Sequence, residues 1–171
     1  GYDSAGAFLF NSKSYLKKCK GKVADLEKKM DGDNLSTYTI GMGHTRWATH
    51  GIPNTINSHP HISNSGKIFI VHNGIIENYA SIKQILIEKG YTFKSETDTE
   101  VLVNLIEEVK KSNPKLKIGQ ATQIALNQVV GAFAIVVFDK DSPNELVVAK
   151  LGSPLSIGLK GKEFFVGSDP S

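Results

Sequence analysis

GHTRWATHG, residues 43–51, is the stretch around which the rest of this 171-residue chain is arranged. It places the single tryptophan, one arginine and two histidines between two glycines. Glycine allows positive φ and close approach of the backbone to a ligand, and a guanidinium is a planar fork of donors that suits a carboxylate or a phosphate. The composition therefore predicts a binding loop. The alternative for an Arg-Trp pair is a strand end, in which Trp47 packs in the core and Arg46 is a solvated charge.

A second segment, KIFIVHNGII at residues 67–76, favours the binding site. Its β-branched and aromatic residues predict a strand that stops at Asn73-Gly74, since both residues tolerate left-handed backbone. Asn-Gly also favours a hairpin, but the apolar residues from 76 to 86 recur at the spacing of one helix face. We therefore predict a strand-to-helix corner. It exposes the Asn73 side-chain amide and the Gly74 backbone N–H, two donors suited to one developing negative charge, as in an oxyanion hole.

Three more helices are predicted. Thr97 and Glu100 form a capping-box signature at the start of one of them, which puts Asp98 in the first turn, where the helix dipole favours negative charge. Asp98 then either serves only the helix start or binds a cation. Apolar spacing predicts the other two helices over residues 23–30 and 118–130.

Strand patterns lie on either side of the central helices. They fall at residues 7–10, 37–42, 132–138, 146–150, 155–159 and 164–166. Residues 52–66 are rich in Pro, Asn, Ser and His without periodicity, which predicts a loop on the side of the site. This order predicts a layered α+β protein with largely antiparallel sheets, formed as a single domain by residues 1–171.

Composition and charge narrow the function classes. Twenty basic against 17 acidic residues give a net charge of +3, which is too balanced to indicate a nucleic-acid partner. No apolar run approaches the ~18 residues of a membrane span, and no signal peptide is recognisable, so we expect a cytoplasmic protein without a membrane partner. The single cysteine, Cys19, excludes an internal disulfide, and its lysine neighbours indicate a thiol on the surface.

Several motifs occur together in one order: GYDSAG at 1–6, GHTRWATHG at 43–51, SHPH at 58–61, VHNGIIENY at 71–79, SETDTE at 95–100 and GSPL at 152–155. With them the chain resembles the glutamine amidotransferase domain of glucosamine-6-phosphate synthases over almost all of its length. The Trp-Ala-Thr-His-Gly form distinguishes it from the related amidotransferases of purine biosynthesis. The resemblance implies the αββα sandwich of the N-terminal nucleophile hydrolases.

The resemblance also implies a role for each polar residue. Glutamine is a zwitterion with a neutral amide at its far end, so its site needs a cation, an anion and donors for the amide oxyanion. Arg46 would bind the α-carboxylate and Asp98 the α-ammonium, while Asn73 and Gly74 would form the oxyanion hole. A bidentate arginine contact would also fix the orientation of the substrate.

A covering loop and a nucleophile complete the implied site. Trp47 would belong to a mobile loop over the substrate, with Thr49 and His50 lining the pocket. Family members use a cysteine at the mature N-terminus, whereas position 1 is glycine, and Cys19 is not at the chain start. We therefore expect these 171 residues to lack the first strand and helix of the fold, together with the nucleophilic cysteine that precedes them. Without that cysteine we expect the chain to be inactive.

The implied activity is that of an intact parent enzyme. It would hydrolyse glutamine to glutamate and pass the ammonia to fructose 6-phosphate, giving glucosamine 6-phosphate. The sugar phosphate would bind C-terminal isomerase domains that lie outside this chain. We expect a homo-oligomeric parent that uses neither a cofactor nor a metal.

Two alternatives remain open from the sequence. All five histidines, His44, His50, His59, His61 and His72, lie within residues 44–72, and a His-x-His pair is a known metal-ligand layout, so a metal-dependent hydrolase is one alternative. Pro60 between the pair, and the absence of a Cys or Glu at a regular spacing, argue against it. The other alternative is a module that binds glutamine without hydrolysing it.

Overall fold

The computed structural model describes residues 3–47 and 51–169. Within this part the strands are β1 (Ser4–Phe10), β2 (Ser14–Lys20), β3 (Ile40–Arg46), β4 (His61–Ile62), β5 (Ile68–Ile76), β6 (Gly131–Asp139), β7 (Val147–Leu151), β8 (Ser156–Lys160) and β9 (Glu163–Gly167). The helices are α1 (Val23–Met30), α2 (Tyr79–Glu88), α3 (Asp98–Ser112) and α4 (Ile118–Leu126). None of these helices is both long enough and apolar enough to cross a membrane.

The described strands form three sheets. The first has the order β2-β1-β3, the second the order β4-β5-β6-β7, and β8 pairs with β9 in a two-stranded sheet. All of these pairs are antiparallel, and β5 and β6 keep one continuous register from Ile68↔Asp139 to Ile76↔Gly131. The predicted antiparallel character of the sheets is confirmed.

The two larger sheets face each other, and helices cover their outer faces. Aromatic residues fill the space between the sheets, where the rings of Phe8 and Phe69 stack with centroids 3.9 Å apart. On the outer face of the first sheet, α1 buries Leu26 against Ala5. On the outer face of the second sheet, α2, α3 and α4 share one apolar core with β5 and β6. This is the predicted αββα sandwich.

The structure corrects the predicted binding loop at its first four residues. Residues 43–46 belong to β3, which pairs with β1 up to Ser4↔Arg46. The predicted strands, residues 7–10 and 37–42, missed the start of β1 and the end of β3. The reason is that Ser4-Ala5-Gly6 and Gly43 have little β propensity of their own. A long-range ladder decides the conformation here, and it fixes Arg46 on a rigid element.

The predicted strand-to-helix corner at Asn73-Gly74 is also wrong. β5 runs through both residues to Ile76, and α2 begins only at Tyr79. Gly74 has a φ of 136°, and a Cβ there would lie 2.1 Å from the backbone oxygen of Ala132 on β6. Glycine is therefore required at position 74 by the close approach of two strands, and no turn is involved.

The predicted surface position of Cys19 is wrong as well. The side chain is 1% exposed and packs with Ala5 and Leu26 beneath α1. Successive residues of a strand point to opposite faces, so Cys19 points inward from β2 although lysines precede and follow it. Neighbouring charges in sequence say little about which face of a strand a residue occupies.

Two further boundaries differ from the predictions. α4 ends at Leu126 instead of residue 130, and Gly131 begins β6. The predicted loop over residues 52–66 contains the short strand β4. The helices over 23–30 and from Asp98 are found as predicted, and Gly90 follows α2 with the positive φ, 93°, of a glycine that ends a helix.

Candidate active site

A polar cavity of about 300 Å³ lies where the ends of β3 and β5 meet the start of α3. Its size is at the lower end of the range of small-molecule sites, ~300–1,000 Å³. Five of the predicted site residues line it: Arg46, Trp47, Asn73, Gly74 and Asp98. The other two, Thr49 and His50, lie outside the described residues. The structure thus brings together, in one small cavity, groups that span more than fifty positions of sequence.

Arg46 supplies a buried cation to the cavity. Its side chain, the last of β3, is 4% exposed, and Nη2 donates to the backbone oxygen of Gly51 at 3.3 Å. Burial lowers the pKa of Arg46, whereas the nearby carboxylates of Asp3, Asp98 and Glu96 raise it. Because a guanidinium stays protonated in proteins, the cavity contains a partly desolvated positive charge that attracts anions.

The alternative arrangement of the Arg-Trp pair is therefore wrong. Trp47 is 67% exposed and Arg46 is buried, which is the reverse of a core tryptophan beside a solvated arginine. The pairing of β3 with β1 ends at Arg46, so the arginine still points between the layers while Trp47 leaves them. An exposed indole at the rim of a polar cavity is available for contact with a ligand.

Asp98 supplies the negative charge. Thr97 caps α3 by accepting the Glu100 backbone N–H at 3.3 Å, and Asp98, the first helical residue, is 4% exposed. The Asp98 oxygen Oδ2 accepts the Ile76 N–H at 2.8 Å. Glu100 does not complete the predicted capping box, because its carboxylate accepts the Ser95 backbone N–H instead. Asp98 thus joins the start of α3 to the end of β5 as well as lining the cavity.

One edge of β5 carries the backbone groups of the site. The backbone oxygen of His72 lies 3.0 Å from Nε2 of His44, and the N–H of Ile76 donates to Asp98. Alternate residues of a strand direct their backbone groups to the same edge. Gly74 lies between these two residues, so its N–H belongs to the edge that Asp98 and His44 occupy.

Imidazole rings pack behind this edge, which sequence reasoning did not foresee. His59 Nε2 and His72 Nδ1 each lie 2.9 Å from Thr99 Oγ1, and the ring of His61 contacts Thr97 at 3.0 Å. Burial lowers the pKa of His59 and of His61 well below 6.5. The rings of His59 and His61 are therefore neutral near pH 7.

The described residues include no group of three or more His, Cys, Asp or Glu side chains that could hold a metal ion. In the described residues, Nε2 of His59 and Nε2 of His61 each lie against a threonine hydroxyl, at 2.9 Å and 3.0 Å. His44 lines the cavity together with Arg46. The two side chains lie on one face of β3, because residues two apart on a strand share a face. Ser168, which also lines the cavity, carried no signal in the sequence.

Comparison with known proteins identifies the family. The model of the glutamine amidotransferase domain matches residues 10–171. The chain is 51% identical over 99% of its length to a glutamine–fructose-6-phosphate aminotransferase (isomerizing) of Bacteroides thetaiotaomicron, and 46% identical to one of Pyrococcus horikoshii. In both cases it spans 28% of the relative's length.

Solved structures agree in fold. The glutamine phosphoribosylpyrophosphate amidotransferase of Bacillus subtilis superposes with a TM-score of 0.78 at 28% identity, over 98% of this chain and 36% of that one. A structure described as the allosteric regulatory enzyme of purine biosynthesis gives a TM-score of 0.80 at 29% identity, with the same coverage. With its αββα layers, its polar cavity and these similarities, the chain belongs to the glutamine amidotransferase domain family.

Proposed function

We propose that the cavity binds glutamine by both ends and promotes hydrolysis of its side-chain amide. Arg46 binds the α-carboxylate and Asp98 the α-ammonium group. The Asn73 side-chain amide and the Gly74 N–H stabilise the oxyanion that forms when the amide carbon is attacked. The observation that carries this proposal is the meeting of a buried guanidinium, a buried carboxylate and two donors in about 300 Å³.

Charge and burial support these assignments. Attraction between unit charges is several times stronger near a protein interior than in water, so a zwitterion gains from two partners that are each about 4% exposed. Arg46 and Asp98 lie close enough for the carboxylate to affect the pKa of the guanidinium. A ligand with only one of the two charges leaves the opposite partner uncompensated, which favours an amino acid over a simple amide.

The chain contributes the binding groups, and we propose that a cysteine outside residues 3–47 and 51–169 is the nucleophile. No cysteine lines the cavity among the described residues, and Cys19 lies beneath α1. A groove of about 940 Å³ adjoins the cavity and shares Asn73 with it. Its walls include β3 and β9, and within the described residues each of these strands pairs along one edge only. An extended segment that pairs with such an edge would deliver a thiol beside Asn73.

We further propose that Trp47, Thr49 and His50 form a loop that covers bound glutamine. The exposure of Trp47 at the rim supports this, because closure over the ligand would bury the indole and exclude water from the reaction. Trp47 is the last described residue before this segment, and Thr49 and His50 lie outside the described residues.

For the intact protein we propose the activity in the names of its relatives. The ammonia released here would convert fructose 6-phosphate to glucosamine 6-phosphate in domains that correspond to the remaining length of those relatives. A homo-oligomer and a cytoplasmic location belong to the same proposal. Light scattering of the intact protein and cell fractionation test these two points.

The glutamine assignment is tested by pairing variants with truncated substrates. Glutaramate lacks the α-ammonium group and 4-aminobutanamide lacks the α-carboxylate, so each analogue removes one charge. In the intact protein we expect Asp98→Asn to lose about 10- to 100-fold in kcat/KM for glutamine and little for glutaramate, since charged hydrogen bonds contribute ~1.5–3 kcal/mol. Arg46→Gln should likewise lose kcat/KM for glutamine and little for 4-aminobutanamide, which lacks the carboxylate that Arg46 would bind.

If Asp98→Asn instead spared 4-aminobutanamide and Arg46→Gln spared glutaramate, the roles of Asp98 and Arg46 would be reversed. Equal losses of kcat/KM on all three substrates would refute the binding assignment. The nucleophile is tested separately with an electrophilic glutamine analogue and peptide mass mapping. We expect the label on a cysteine other than Cys19. Label on Cys19 itself would overturn the proposed position of the thiol.

A further inference from the structure

An asparagine amide can stabilise an oxyanion in only one of its two orientations. The two ends of the amide have nearly the same shape, but Nδ2 donates hydrogen bonds and Oδ1 accepts them. An Asn73 side chain turned by 180° would present Oδ1 to a developing negative charge and repel it. Something in the structure must therefore select the orientation of Asn73 if this residue is to act as a donor.

The atom that contacts the Asn73 amide is Nε2 of His44. It lies 2.7 Å from Asn73 Oδ1 and 3.0 Å from the backbone oxygen of His72. A backbone carbonyl only accepts hydrogen bonds, so Nε2 must carry the proton and donate. The Asn73 atom facing this N–H must then be an acceptor, which assigns Oδ1 to the His44 side and turns Nδ2 away from it.

The surroundings of His44 keep this arrangement fixed. Burial lowers the pKa of His44 from 6.5 to about 4, with His72 and Arg46 acting in the same direction and the hydrogen bonds to Asn73 and His72 opposing them. The ring stacks on His59 with centroids 4.1 Å apart. Among the described residues, Nδ1 of His44 is buried without a hydrogen-bond partner. A neutral ring with one proton therefore has that proton on Nε2.

The position of the pair in the fold explains why it is formed. Met42 on β3 and Val71 on β5 belong to the apolar core between the two sheets. Two residues further along each strand, on the same faces, are His44 and Asn73. The apolar layer thus ends in a polar contact between the sheets, at the point where the cavity opens.

We propose that His44 is a positioning residue for the oxyanion hole, whose Nε2–H holds Asn73 so that Nδ2 is directed at the reacting amide. The inference rests on the proposed function, because it assigns to Asn73 the role of an oxyanion donor. His44 does not touch the substrate in this scheme. It acts through the hydrogen bond from its Nε2–H to Asn73 Oδ1. The contact of the same nitrogen with the His72 carbonyl requires that Nε2 carries the proton.

The test compares His44→Gln with His44→Leu in the intact protein, alone and combined with Asn73→Ala. Glutamine has a donor at the same distance along the side chain as Nε2, whereas leucine fills similar space without a donor. We expect His44→Leu to lower kcat for glutamine about 10- to 100-fold with KM within about threefold, and His44→Gln to recover most of the loss. In the Asn73→Ala background, His44→Leu should lower kcat by less than about threefold.

Several results would overturn the inference: a rise in KM alone, equal losses in both His44 variants, or a full additional loss in the Asn73→Ala background. These readouts separate positioning from a general structural effect, which would not depend on Asn73. Should His44→Leu fail to fold, His44→Met, which also lacks a donor, replaces it in both backgrounds, and the coupling to Asn73 is measured with that variant.

A measurement on the unsubstituted protein is independent of activity. With ¹⁵N-labelled histidine, we expect NMR to show His44 as the neutral Nε2–H tautomer from pH 8 to 5. The Nδ1–H tautomer, or protonation near pH 6.5, would refute the geometry. If the truncated substrates fail to discriminate while the Nε2–H tautomer is found, the proposed function falls and the hydrogen bond stands. If they do discriminate and His44→Leu leaves kcat unchanged, only the positioning role falls.

Discussion

A methyl group at position 74 tests the proposed link between the β5–β6 ladder and the oxyanion hole. In Gly74→Ala the new Cβ would lie 2.1 Å from the oxygen of Ala132 and 2.9 Å from Cα of Phe133, at a φ of 136°. Both contacts are with backbone, so the strand itself must move. The structure offers a matched control in Gly131→Ala, which has the same φ of 136° and a Cβ 2.1 Å from the oxygen of Ile75. Gly131 does not line the cavity.

The cost has two parts. A non-glycine residue at such a φ costs on the order of 1–3 kcal/mol, and overpacking adds about 1–3 kcal/mol, so we expect each variant to lose about 2–6 kcal/mol of unfolding free energy. Gly66→Ala calibrates the first part, because Gly66 has a φ of 77° and no atom within 4 Å of the added Cβ. Its loss should be about 1–2 kcal/mol.

Activity separates Gly74 from Gly131. A shift of about 1 Å at a reacting group, or loss of one oxyanion donor, costs ~10²-fold or more in rate. We therefore expect kcat of the intact protein to fall about 10²-fold in Gly74→Ala and by less than about tenfold in Gly131→Ala. Urea unfolding of the 171-residue chain measures stability, and an ammonia-release assay measures kcat. Equal kcat values in the two variants, at equal losses of stability, would refute the role of the Gly74 N–H.

Four other predictions follow from burial and geometry. The pKa of His44 is lowered from 6.5 to about 4 in the folded chain, so between these pH values the unfolded chain binds more protons than the folded chain. The unfolding free energy should therefore fall by about 2–3 kcal/mol because of this residue as pH drops from 7 to 4.5. Urea unfolding of His44→Gln should lack that part of the loss. The pKa of Lys18 is lowered from 10.5 to about 8, chiefly by burial, so wild-type stability should rise as pH increases from 8 to 10.5. Lys18→Met should raise the unfolding free energy at pH 7 by about 1–3 kcal/mol and remove that slope; an unchanged slope would contradict it. Cys19 is 1% exposed, so a thiol reagent should modify it only at urea concentrations that unfold the chain, and rapid modification of the folded chain would disprove its burial. Asparagine is one methylene shorter than glutamine, and with Asp98 and Gly74 held by one strand edge we expect its kcat/KM to be at least about 10²-fold lower; a similar value for both substrates would show that the spacing is not fixed.

Local signals in the sequence located the helices, although α4 ends at Leu126 and not at the predicted residue 130. Thr97 and Gly90 mark helix ends through interactions within a few residues, and apolar periodicity selects the buried face. The strands of the first sheet were harder, because Ser4 and Arg46 become strand residues by pairing with each other across 42 positions. No property of either residue alone contains that information.

The residues of the candidate site were easier to select than their geometry. The family resemblance assigned an arginine, an aspartate and an Asn-Gly pair to one zwitterionic amide, and these residues share a cavity. Sequence reasoning gave the wrong reason for Gly74, since Asn-Gly is a turn signal and only the β6 backbone reveals the close approach. It also left His44 as one histidine among five, because its partner Asn73 lies on the other sheet.

The edge of β5 explains why these groups have a fixed spacing. Asp98 accepts the N–H of Ile76, and His44 contacts the carbonyl of His72, so both ends of the site are held by one strand. A strand rises about 3.4 Å per residue, which sets Gly74 and Ile76 about 7 Å apart. In the proposed binding mode that separation accommodates an α-ammonium group and a carbonyl joined by the α-carbon and two methylenes, whereas a side chain with one methylene leaves one end unbound. Because β6 pairs with β5 over its whole length, changing the spacing would require breaking the central ladder of the sheet. If glutamine binds as proposed, substrate length is selected by the same backbone contacts that stabilise the fold.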